Sequence, residues 1–406
     1  MADEPTGTLL TGATGFLGGE VLARLLERGD GPVYALVRAS DDGEAQVRLE
    51  GVVEALLGDA AASAGKAIAI AGDVTRPGLG IRDRDRDRLA ERVDRIIHCA
   101  ASVSFTLGLA ESREINVEGT RRMLDLGERC VRRGGLDSFV HVSTAYVAGA
   151  HDGTFGEDDL DVGQSFRNSY ERSKFEAELM VRERANELAV QIVRPSIVVG
   201  DSRTGWTPAF NVLYTPLRAF SRGAYPMLPA RRASPVDVVP VDYVADALLA
   251  LAPRPGETHH LVAGERASSV GEIIDLASEN AGLRSPRVLP PGLYRRTIHP
   301  LLVRTGSKAR RRALRSSEQF FSYFAMRVRY DDERCRRALR GSGVEPPPLR
   351  SYFDRLMDFA RAADWGRRPL ERHETFITLD SREDGRLGDR AARRRRFLEA
   401  LAASQR

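Results

Sequence analysis

Short apolar segments alternate with segments of helical periodicity through the first half of this 406-residue chain. The apolar segments, bounded by glycine and polar residues, predict strands at 7–11, 33–37, 67–71, 95–99, 138–142 and 190–194. Between them, apolar residues such as Leu17, Val21 and Leu25 recur on one helical face, which predicts helices over 17–27, 45–57, 118–132 and 170–188. Because strands that alternate with helices pair in parallel, the pattern predicts an α/β fold with helices on both faces of a parallel sheet.

A glycine-rich turn separates the first predicted strand from the first predicted helix. Gly12, Gly15 and Gly18 follow the strand directly, and the helix begins beside them. Glycine permits a tight turn and a close approach of backbone to ligand, while the helix dipole favours an anion. The arrangement predicts a binding unit for the pyrophosphate of a dinucleotide, and a flexible loop is the alternative interpretation.

Tyr170 and Lys174 lie four positions apart on the predicted helix 170–188, so their side chains share one face. A nearby cation favours the phenolate, so we expect Lys174 to lower the pKa of Tyr170 from its ordinary value of about 10. Such a tyrosine can act as a general acid or base. Taken alone, this spacing is more often an ordinary pair on a helix surface, and its weight comes from the glycine turn upstream.

The segment from Thr11 to Gly18, with its Gly-x-x-Gly-x-x-Gly spacing, resembles the cofactor motif of the extended short-chain dehydrogenase/reductases. Further motifs of that family follow in order at 95–101, 115–120, 139–149 and 194–200, so the resemblance covers roughly residues 6 to 265. It implies a Rossmann-type doubly wound parallel sheet with a smaller, α-rich C-terminal region for the substrate. It also implies that Tyr170 and Lys174 are the family's catalytic Tyr-x-x-x-Lys pair.

The resemblance further implies which residues bind the dinucleotide. They lie around the glycine turn, after the second, third and fourth strands, and around the nicotinamide. In chain order they are Thr11, Gly12, Thr14, Gly15, Phe16, Leu17, Gly18, Arg38, Asp73, Val74, Ala100, Ala101, Asn116, Tyr170, Lys174, Pro195, Ser196 and Ile197.

The end of the second predicted strand indicates the form of the cofactor. Units that bind NAD usually carry an acidic residue there, whereas an arginine suits the 2′-phosphate of NADP. The strand ends at Arg38, and the acids Asp41 and Asp42 come three positions late. We therefore expect NADPH, and the alternative is that Arg38 is merely an exposed residue.

Two neighbouring hydroxyls, Ser143 and Thr144, are candidates for the catalytic hydroxyl that partners Tyr170. In extended enzymes this hydroxyl usually lies about 25 residues before the tyrosine, which favours Thr144. Ser143 is then expected to support the site from behind.

The sequence around and after the helix 170–188 resembles the "male sterility" branch, which contains fatty acyl reductases and thioester reductase domains. The resemblance lies in residues 98–105, 194–206, 210–223 and 235–246. It implies NADPH-dependent reduction of an acyl thioester, carried by coenzyme A or an acyl carrier protein, to an aldehyde or alcohol. The alternatives are a hydroxysteroid or other alcohol dehydrogenase, or a sugar-nucleotide epimerase or dehydratase, on the same scaffold. A non-catalytic NADP sensor is disfavoured because Tyr170 and Lys174 are both present.

We predict three regions: an NADP-binding domain over 1–265 with a substrate-region insert at about 205–235, a substrate cap over 266–366, and a charged, partly disordered tail over 367–406. The segment 304–315 carries six basic residues and no acid. It could bind the phosphates of a coenzyme A or phosphopantetheine carrier, or contact an anionic membrane surface. A solvated helix face is the alternative interpretation.

Composition excludes several other classes of protein. No uninterrupted apolar stretch is long enough to span a membrane, and the N-terminal residues lack the pattern of a signal peptide, so we expect a cytoplasmic enzyme. Three cysteines at Cys99, Cys130 and Cys335 lack the spacing of a metal site or a disulfide framework. A net charge of +4 without a recognition motif argues against nucleic-acid binding.

Overall fold

The computed structural model describes residues 6–63, 65–185, 187–210, 212–223, 227–290 and 323–375, with residues 292–294, 296–297, 300 and 304 between the last two ranges. Its strands are β1 (Gly7–Thr11), β2 (Val33–Val37), β3 (Ala67–Ala71), β4 (Val93–His98), β5 (Ser138–Val142), β6 (Asp152–Phe155), β7 (Val190–Pro195), β8 (Ile197–Val199), β9 (Met227–Pro229), β10 (Pro235–Val236), β11 (Val238–Pro240), β12 (Thr258–Leu261), β13 (Ser268–Ser269), β14 (Arg287–Leu289) and β15 (Arg327–Tyr330). Its helices are α1 (Phe16–Arg28), α2 (Asp42–Leu57), α3 (Asp83–Ala90), α4 (Leu109–Arg113), α5 (Gly119–Arg133), α6 (Ser169–Glu183), α7 (Tyr214–Ser221), α8 (Val241–Ala250), α9 (Val270–Ala281), α10 (Glu333–Ala338) and α11 (Phe353–Ala362).

A parallel sheet in the described part of the chain has the strand order β12-β7-β5-β4-β1-β2-β3. β1 pairs with β2 on one side and β4 on the other, so Leu9 faces Tyr34 and Ile96 across the two ladders. The chain thus builds the sheet outward from β1 in one direction and then from β4 in the other. At such a switch point the carboxyl ends of the strands open a crevice, which is where ligands bind in sheets of this kind.

Apolar layers cover both faces of this sheet. One layer packs α1, α2 and α8 against the strands and includes Val21, Leu49 and Val244. The other packs α3, α5 and α6 and includes Met123 and Val181. Since both faces are buried, strands such as β2 (Val-Tyr-Ala-Leu-Val) and β3 (Ala-Ile-Ala-Ile-Ala) are continuously apolar, as the sequence pattern required.

A third apolar cluster lies outside the main sheet. It joins α7, α9 and α11 to short strands, and its buried residues include Phe155, Leu217 and Phe353. The short strands pair as β6 with β15, β8 with β11, β9 with β14 and β10 with β13. The smaller region therefore combines helices with short strand pairs rather than being purely helical.

The predicted fold class is confirmed, and the differences are local. β4 begins two residues before the predicted strand, α6 ends at Glu183 rather than at residue 188, and β12 was not predicted. β12 has the sequence Thr-His-His-Leu and becomes a strand by pairing with β7. Its polar side chains are buried, so no local periodicity marks it.

The regions that the sequence analysis singled out downstream are only partly described. Residues 305–315 of the basic segment and 376–406 of the tail lie outside the described residues. The start of the tail packs on the sheet domain, because Arg372 donates from Nε to Oε1 of the buried Glu20 on α1 at 2.7 Å. No helix within the described ranges is long and apolar enough to cross a membrane.

Candidate active site

The glycine turn packs tightly against the end of β4. Gly12 has φ +74°, and a Cβ there would lie 2.9 Å from the backbone nitrogen of Ala100. A Cβ on Gly18 would lie 2.1 Å from the carbonyl oxygen of Gly12, so α1 can approach the turn only because residue 18 is glycine. Gly15 is the N-cap of α1, and no side chain of the described residues caps that helix. The first N–H groups of α1 therefore remain available to an anion such as a pyrophosphate.

Thr11 differs from the other predicted residues of the turn. It is buried, and its Oγ1 accepts the N–H of Ala100 at 3.1 Å and lies 2.8 Å from Nδ1 of His98. By contrast, Thr14 and Gly15 are exposed, and Phe16 and Leu17 are half-buried. Residues 14–17 therefore lie at the surface of the crevice, whereas the Thr11 hydroxyl positions the strand ends beneath it.

Asn116 joins the loop after β4 to α6. It lies in a π-helical turn, Glu114–Glu118, of a kind often found at functional sites. Its side-chain oxygen accepts the N–H of Ser102 at 2.8 Å, and its amide donates to Oγ of Ser173 at 2.9 Å. Asn116 thereby holds the loop that carries Ala100 and Ala101 beside Ser173, the residue before Lys174 in α6.

Arg38 and Asp73 lie together at the opposite end of the crevice. Arg38 is exposed after β2. Burial acts to raise the pKa of the Asp73 carboxyl, but hydrogen bonds from Thr75 and the charge of Arg38 keep that pKa low. The carboxylate accepts the N–H of Thr75 at 2.9 Å, which shapes the turn after β3. Asp41 caps α2 by accepting the N–H of Glu44 at 2.9 Å, so this nearby acid already has a structural role. Val74 packs against the first residue of α5.

The side chains of Tyr170 and Thr144 lie close enough for the Thr144 hydroxyl to act on the pKa of the Tyr170 phenol, which it lowers against the larger, opposite effect of burial. Thr144 follows β5, where its Oγ1 accepts the N–H of Tyr146 at 3.2 Å. Tyr170 lies in the first turn of α6, which Asn168 caps by accepting the N–H of Glu171 at 2.9 Å. The two hydroxyls thus converge from β5 and α6 at the carboxyl edge of the sheet.

The expected effect of Lys174 on Tyr170 is not present in this structure. Burial raises the pKa of Tyr170 to about 12, although the Thr144 side chain acts in the opposite direction. Lys174 is buried, and its Nζ donates to the carbonyl oxygen of Val142 at 2.8 Å. Burial lowers the pKa of Lys174 to about 8, against the attraction of Glu178. The prediction of a lowered tyrosine pKa was wrong because burial, with the nearby Glu171 carboxylate, raises that pKa, and Tyr170 is a protonated donor near neutral pH.

Ser143 supports the site through a buried ion pair. Its Oγ donates to Oε2 of Glu178 at 2.5 Å, and Arg194 Nη2 donates to Oε1 of the same carboxylate at 2.6 Å. Burial alone would raise the pKa of Glu178, but Arg194, together with Arg182 and Ser143, keeps the pKa below its ordinary value. Sequence analysis missed Glu178 and the role of Arg194. The available signal was Glu178 itself, a charged residue one helical turn after Lys174 on the same face.

The residues predicted to contact the nicotinamide, Pro195, Ser196 and Ile197, lie at and after the end of β7. The carbonyl oxygen of Pro195 accepts a hydrogen bond from Thr144 Oγ1 at 3.4 Å. Ser196 donates from Oγ to Asp237 Oδ1 at 2.5 Å, which directs its hydroxyl away from the crevice. Ile197 is buried beside an apolar cavity. The structure therefore places Pro195 beside Thr144, whereas the Ser196 side chain bonds to Asp237 instead.

Aromatic side chains that sequence analysis did not assign to the site surround Tyr170. The rings of Phe105 and Tyr170 are 5.8 Å apart, and Phe105 stacks on Tyr323 at 5.5 Å. Tyr323 follows the undescribed segment 305–322, and only folding brings it to α6. Its proximity to Tyr170 has no local sequence signal.

A sequence profile of the male sterility protein family, an NAD-binding family, matches residues 10–248. The chain belongs to this family. The matched part contains the glycine turn, Thr144, Tyr170, Lys174 and Arg194, and its sheet is that of the extended short-chain dehydrogenase/reductases. Membership makes the sheet domain a unit that binds a nicotinamide dinucleotide.

Curated relatives of this male sterility family chain include Fatty acyl-CoA reductase 1 from Xenopus laevis and from Homo sapiens. The first is 30% identical over 279 residues, which cover 60% of this chain and 54% of the relative. The second is 31% identical over 284 residues, which cover 61% of this chain and 55% of the relative. The chain thus spans about half the length of the curated relatives it matches.

Among solved structures, the chain is similar to the terminal R domain from the myxalamid PKS-NRPS biosynthetic pathway. That match has a TM-score of 0.77 and 29% identity, and it covers 91% of this chain and 94% of the R domain. A thiolation-reductase di-domain from an archaeal non-ribosomal peptide synthetase shares the fold, with a TM-score of 0.71 and 22% identity over 89% of this chain and 76% of the di-domain. These similarities extend beyond the sheet domain into the smaller region.

Proposed function

We propose that this protein is an NADPH-dependent reductase of acyl thioesters. The observation that carries the proposal is the paired Tyr170 and Thr144 hydroxyls, placed beside a dinucleotide crevice in a chain similar to fatty acyl-CoA reductases. The similarity to a terminal R domain over most of both chains supports a thioester as the reacting group. The likeness to a thiolation-reductase di-domain shows a shared fold, and its name suggests a carrier-bound substrate for the test below.

The residues of the glycine turn fit the cofactor. The uncapped start of α1 would bind the pyrophosphate, and the loop through Ala100 and Ala101 would lie against the dinucleotide. Exposed Arg38 favours the 2′-phosphate, because Asp41 is occupied in capping α2. When bound, NADPH would supply the hydride that reduces the thioester carbonyl.

Tyr170 and Thr144 would stabilise the charge that develops on the substrate oxygen. The Tyr170 hydroxyl remains protonated well above neutral pH, so it can donate a hydrogen bond and then a proton to the oxyanion. The resulting hemithioacetal breaks its carbon–sulfur bond and gives an aldehyde and a thiol. A second round on the aldehyde would give an alcohol.

Lys174 would act on the cofactor rather than on the reacting oxygen. Lys174 lies on the same face of α6 as Tyr170. Its ammonium donates to the carbonyl oxygen of Val142, the last residue of β5, which holds it against the sheet. In this position a protonated Lys174 can donate to the hydroxyls of a ribose bound over β5. Burial dominates the pKa of the Tyr170 phenol, so the proposed role of Lys174 is to bind the ribose.

The proposal is tested by supplying the protein with NADPH and three kinds of substrate: an acyl-CoA, an acyl-carrier-protein thioester and a ketone. Oxidation of NADPH with release of free thiol from a thioester is the expected result, and analysis of the products distinguishes aldehyde from alcohol. Turnover of the ketone alone would place the protein among the alcohol dehydrogenases instead. Tyr170→Phe is the control for activity from a contaminating enzyme.

A further inference from the structure

An apolar cavity lies beside the aromatic side chains that flank Tyr170. Its inner compartment is lined by residues that include Tyr146, Tyr323 and Tyr330 and holds about 480 Å³, counting the space that is open to solvent. The outer compartment holds about 520 Å³ on the same measure, and its described lining, which includes Ala277 of α9, is entirely apolar. Leu213 lines both compartments, so they adjoin each other.

Tyr323 stands between Tyr170 and this cavity. One side of its ring stacks on Phe105, which in turn contacts Tyr170 at a ring distance of 5.8 Å. Its edge meets the ring of Tyr146 at 5.4 Å, and both tyrosines line the inner compartment. A group bound at the Tyr170 hydroxyl therefore meets Phe105 and Tyr323 before it reaches the cavity.

Hydrogen bonds from α6 fix the orientation of Tyr323. Its hydroxyl donates to Oε1 of Glu171 at 2.6 Å and accepts from Nδ2 of Asn168 at 2.6 Å. Glu171 exposes no side-chain surface, and Arg167 lies 3.5 Å from its carboxylate. Because two hydrogen bonds of 2.6 Å join its hydroxyl to α6 and to the residue before that helix, the Tyr323 ring is held as a fixed wall. The residues that clamp it flank Tyr170 in the sequence, which links the wall to the reacting tyrosine.

A hydroxyl without a partner also indicates that the inner compartment receives a ligand. Within the described ranges, the Tyr330 hydroxyl is buried and has no hydrogen-bond partner. Such groups are rare in proteins unless a ligand or a water molecule satisfies them. The compartment thus offers a largely apolar surface whose lining also includes the Tyr330 hydroxyl and the Asp237 carboxyl.

We propose that the cavity receives the acyl chain of the substrate and that Tyr323 determines which acyl groups enter it. This inference rests on the proposed reduction of acyl thioesters. The thioester carbonyl lies at Tyr170 and Thr144, and the chain passes the Tyr323 ring toward α7 and α9. Short acyl groups end before the ring, and long chains extend into the outer compartment.

Chain-length profiles test this inference. We compare kcat/KM for butyryl-, decanoyl- and hexadecanoyl-CoA in the wild type, Tyr323→Ala, Tyr323→Phe and Ala277→Phe. Removal of the ring should raise the ratio of hexadecanoyl- to butyryl-CoA activity by roughly tenfold or more, whereas Tyr323→Phe keeps the ring packed on Phe105 and Tyr146 and should raise the ratio less than Tyr323→Ala does. Ala277→Phe fills the outer compartment and should lower only the long-chain activity. Leu283→Phe, at an exposed position just beyond α9, is the matched control for an added ring.

A binding measurement separates this inference from the proposed function. A hexadecyl-CoA thioether, which is not reducible, should bind the wild type more tightly than Ala277→Phe in calorimetric titrations, and Leu283→Phe should match the wild type. Equal binding by Ala277→Phe and the wild type, or chain-length ratios unchanged in Tyr323→Ala, would overturn the inference even if thioesters are reduced. Absence of NADPH oxidation with every thioester would instead contradict the proposed function, while the binding comparison still decides the cavity. Thermal unfolding of each variant shows whether it is folded.

Discussion

Arg194 and Glu178 form an ion pair in which neither side chain exposes any surface, with Nη2 of the arginine 2.6 Å from Oε1 of the glutamate. The pair stands behind the loop that carries Ser143 and Thr144, and Ser143 donates to the same carboxylate at 2.5 Å. It therefore ties β7, α6 and the loop after β5 into one unit. The position of the Thr144 hydroxyl depends on charges that do not touch the substrate.

Removing one charge of this pair should destabilise the protein strongly. Glu178→Gln leaves Arg194 charged in a dry interior, and we expect a loss of about 3–5 kcal/mol in the free energy of unfolding. Denaturant unfolding of the two proteins measures this loss. Arg82→Gln removes a partner from a surface pair, in which Arg82 is 81% exposed, and should leave the unfolding midpoint unchanged. Equal free energies of unfolding for Glu178→Gln and Arg82→Gln would contradict the inference that Arg194 is buried away from water and depends on the charge of Glu178.

Loss of the Tyr170 hydroxyl should affect turnover and not cofactor binding. Tyr170→Phe removes one donor to the developing oxyanion, and kcat should fall by about 10²–10³. The Kd for NADPH, measured by fluorescence, should stay within a few-fold of the wild type. Thr144→Val should also lower kcat, whereas Thr144→Ser keeps a hydroxyl and should retain most activity. A Tyr170→Phe variant with more than a tenth of wild-type kcat would exclude this role.

Two adjacent glycines of α1 should respond differently to a methyl group. A Cβ on Gly18 would lie 2.1 Å from the carbonyl oxygen of Gly12, so Gly18→Ala should displace the turn and abolish measurable NADPH binding. A Cβ on Gly19 would lie 3.5 Å from the carbonyl oxygen of Ala13, which is an ordinary contact. Gly19→Ala should keep the affinity and gain about 0.5–1 kcal/mol of helix stability. Similar Kd values for the two variants would show that the turn tolerates a displaced α1.

Cofactor affinity should fall as the pH rises through about 8. Burial places the pKa of Lys174 at about 8, so the ammonium is present below this pH and is lost above it in the free protein. Titrations of NADPH at constant ionic strength should show the Kd rising across this range. Lys174→Arg keeps its charge at all these pH values and should lack that step, even if its overall affinity is lower. The same step in Lys174→Arg would assign the titration to another group.

The preference of the enzyme for NADPH over NADH should depend on Arg38. Arg38→Ala removes the charged donor proposed for the 2′-phosphate, so KM for NADPH should rise by about 10–100-fold, and KM for NADH should change little. Arg82→Ala, at an exposed position on the turn before α3, is a control for general loss of positive charge. A wild type that uses NADH as well as NADPH would show that Arg38 is only an exposed residue.

The sheet and the dinucleotide crevice were predictable because their signals are local. Strands β1, β2, β3 and β5 begin and end at the predicted residues, since apolar runs bounded by turn residues mark both ends. The glycine turn also follows from backbone sterics, which a short sequence expresses in full. The position of β12 was not predictable, since it is a strand only through its pairing with β7.

The candidate site was predicted less completely than the fold. Periodicity placed Tyr170 and Lys174 on one helical face. The spacing between hydroxyl and tyrosine that is usual in extended enzymes favoured Thr144 over Ser143. The partners of these residues come from distant segments: Arg194 lies 16 residues after Glu178, and Tyr323 lies 152 residues after Glu171. Contacts at such separations depend on how the elements pack.

The sequence by itself determined that this chain folds as a doubly wound sheet with a dinucleotide crevice, a Tyr-x-x-x-Lys helix and a neighbouring threonine. The sheet, the glycine turn and the shared helical face of Tyr170 and Lys174 follow from hydrophobic period, glycine sterics and helix geometry, which act over a few residues, whereas the resemblance to the extended enzymes implied the threonine. Only the tertiary structure decided that burial raises the pKa of Tyr170, that Ser143 donates a hydrogen bond to Glu178, and that Tyr323 lies between Tyr170 and an apolar cavity. Desolvation and contact between distant segments exist only once the chain has packed, so no local pattern records them.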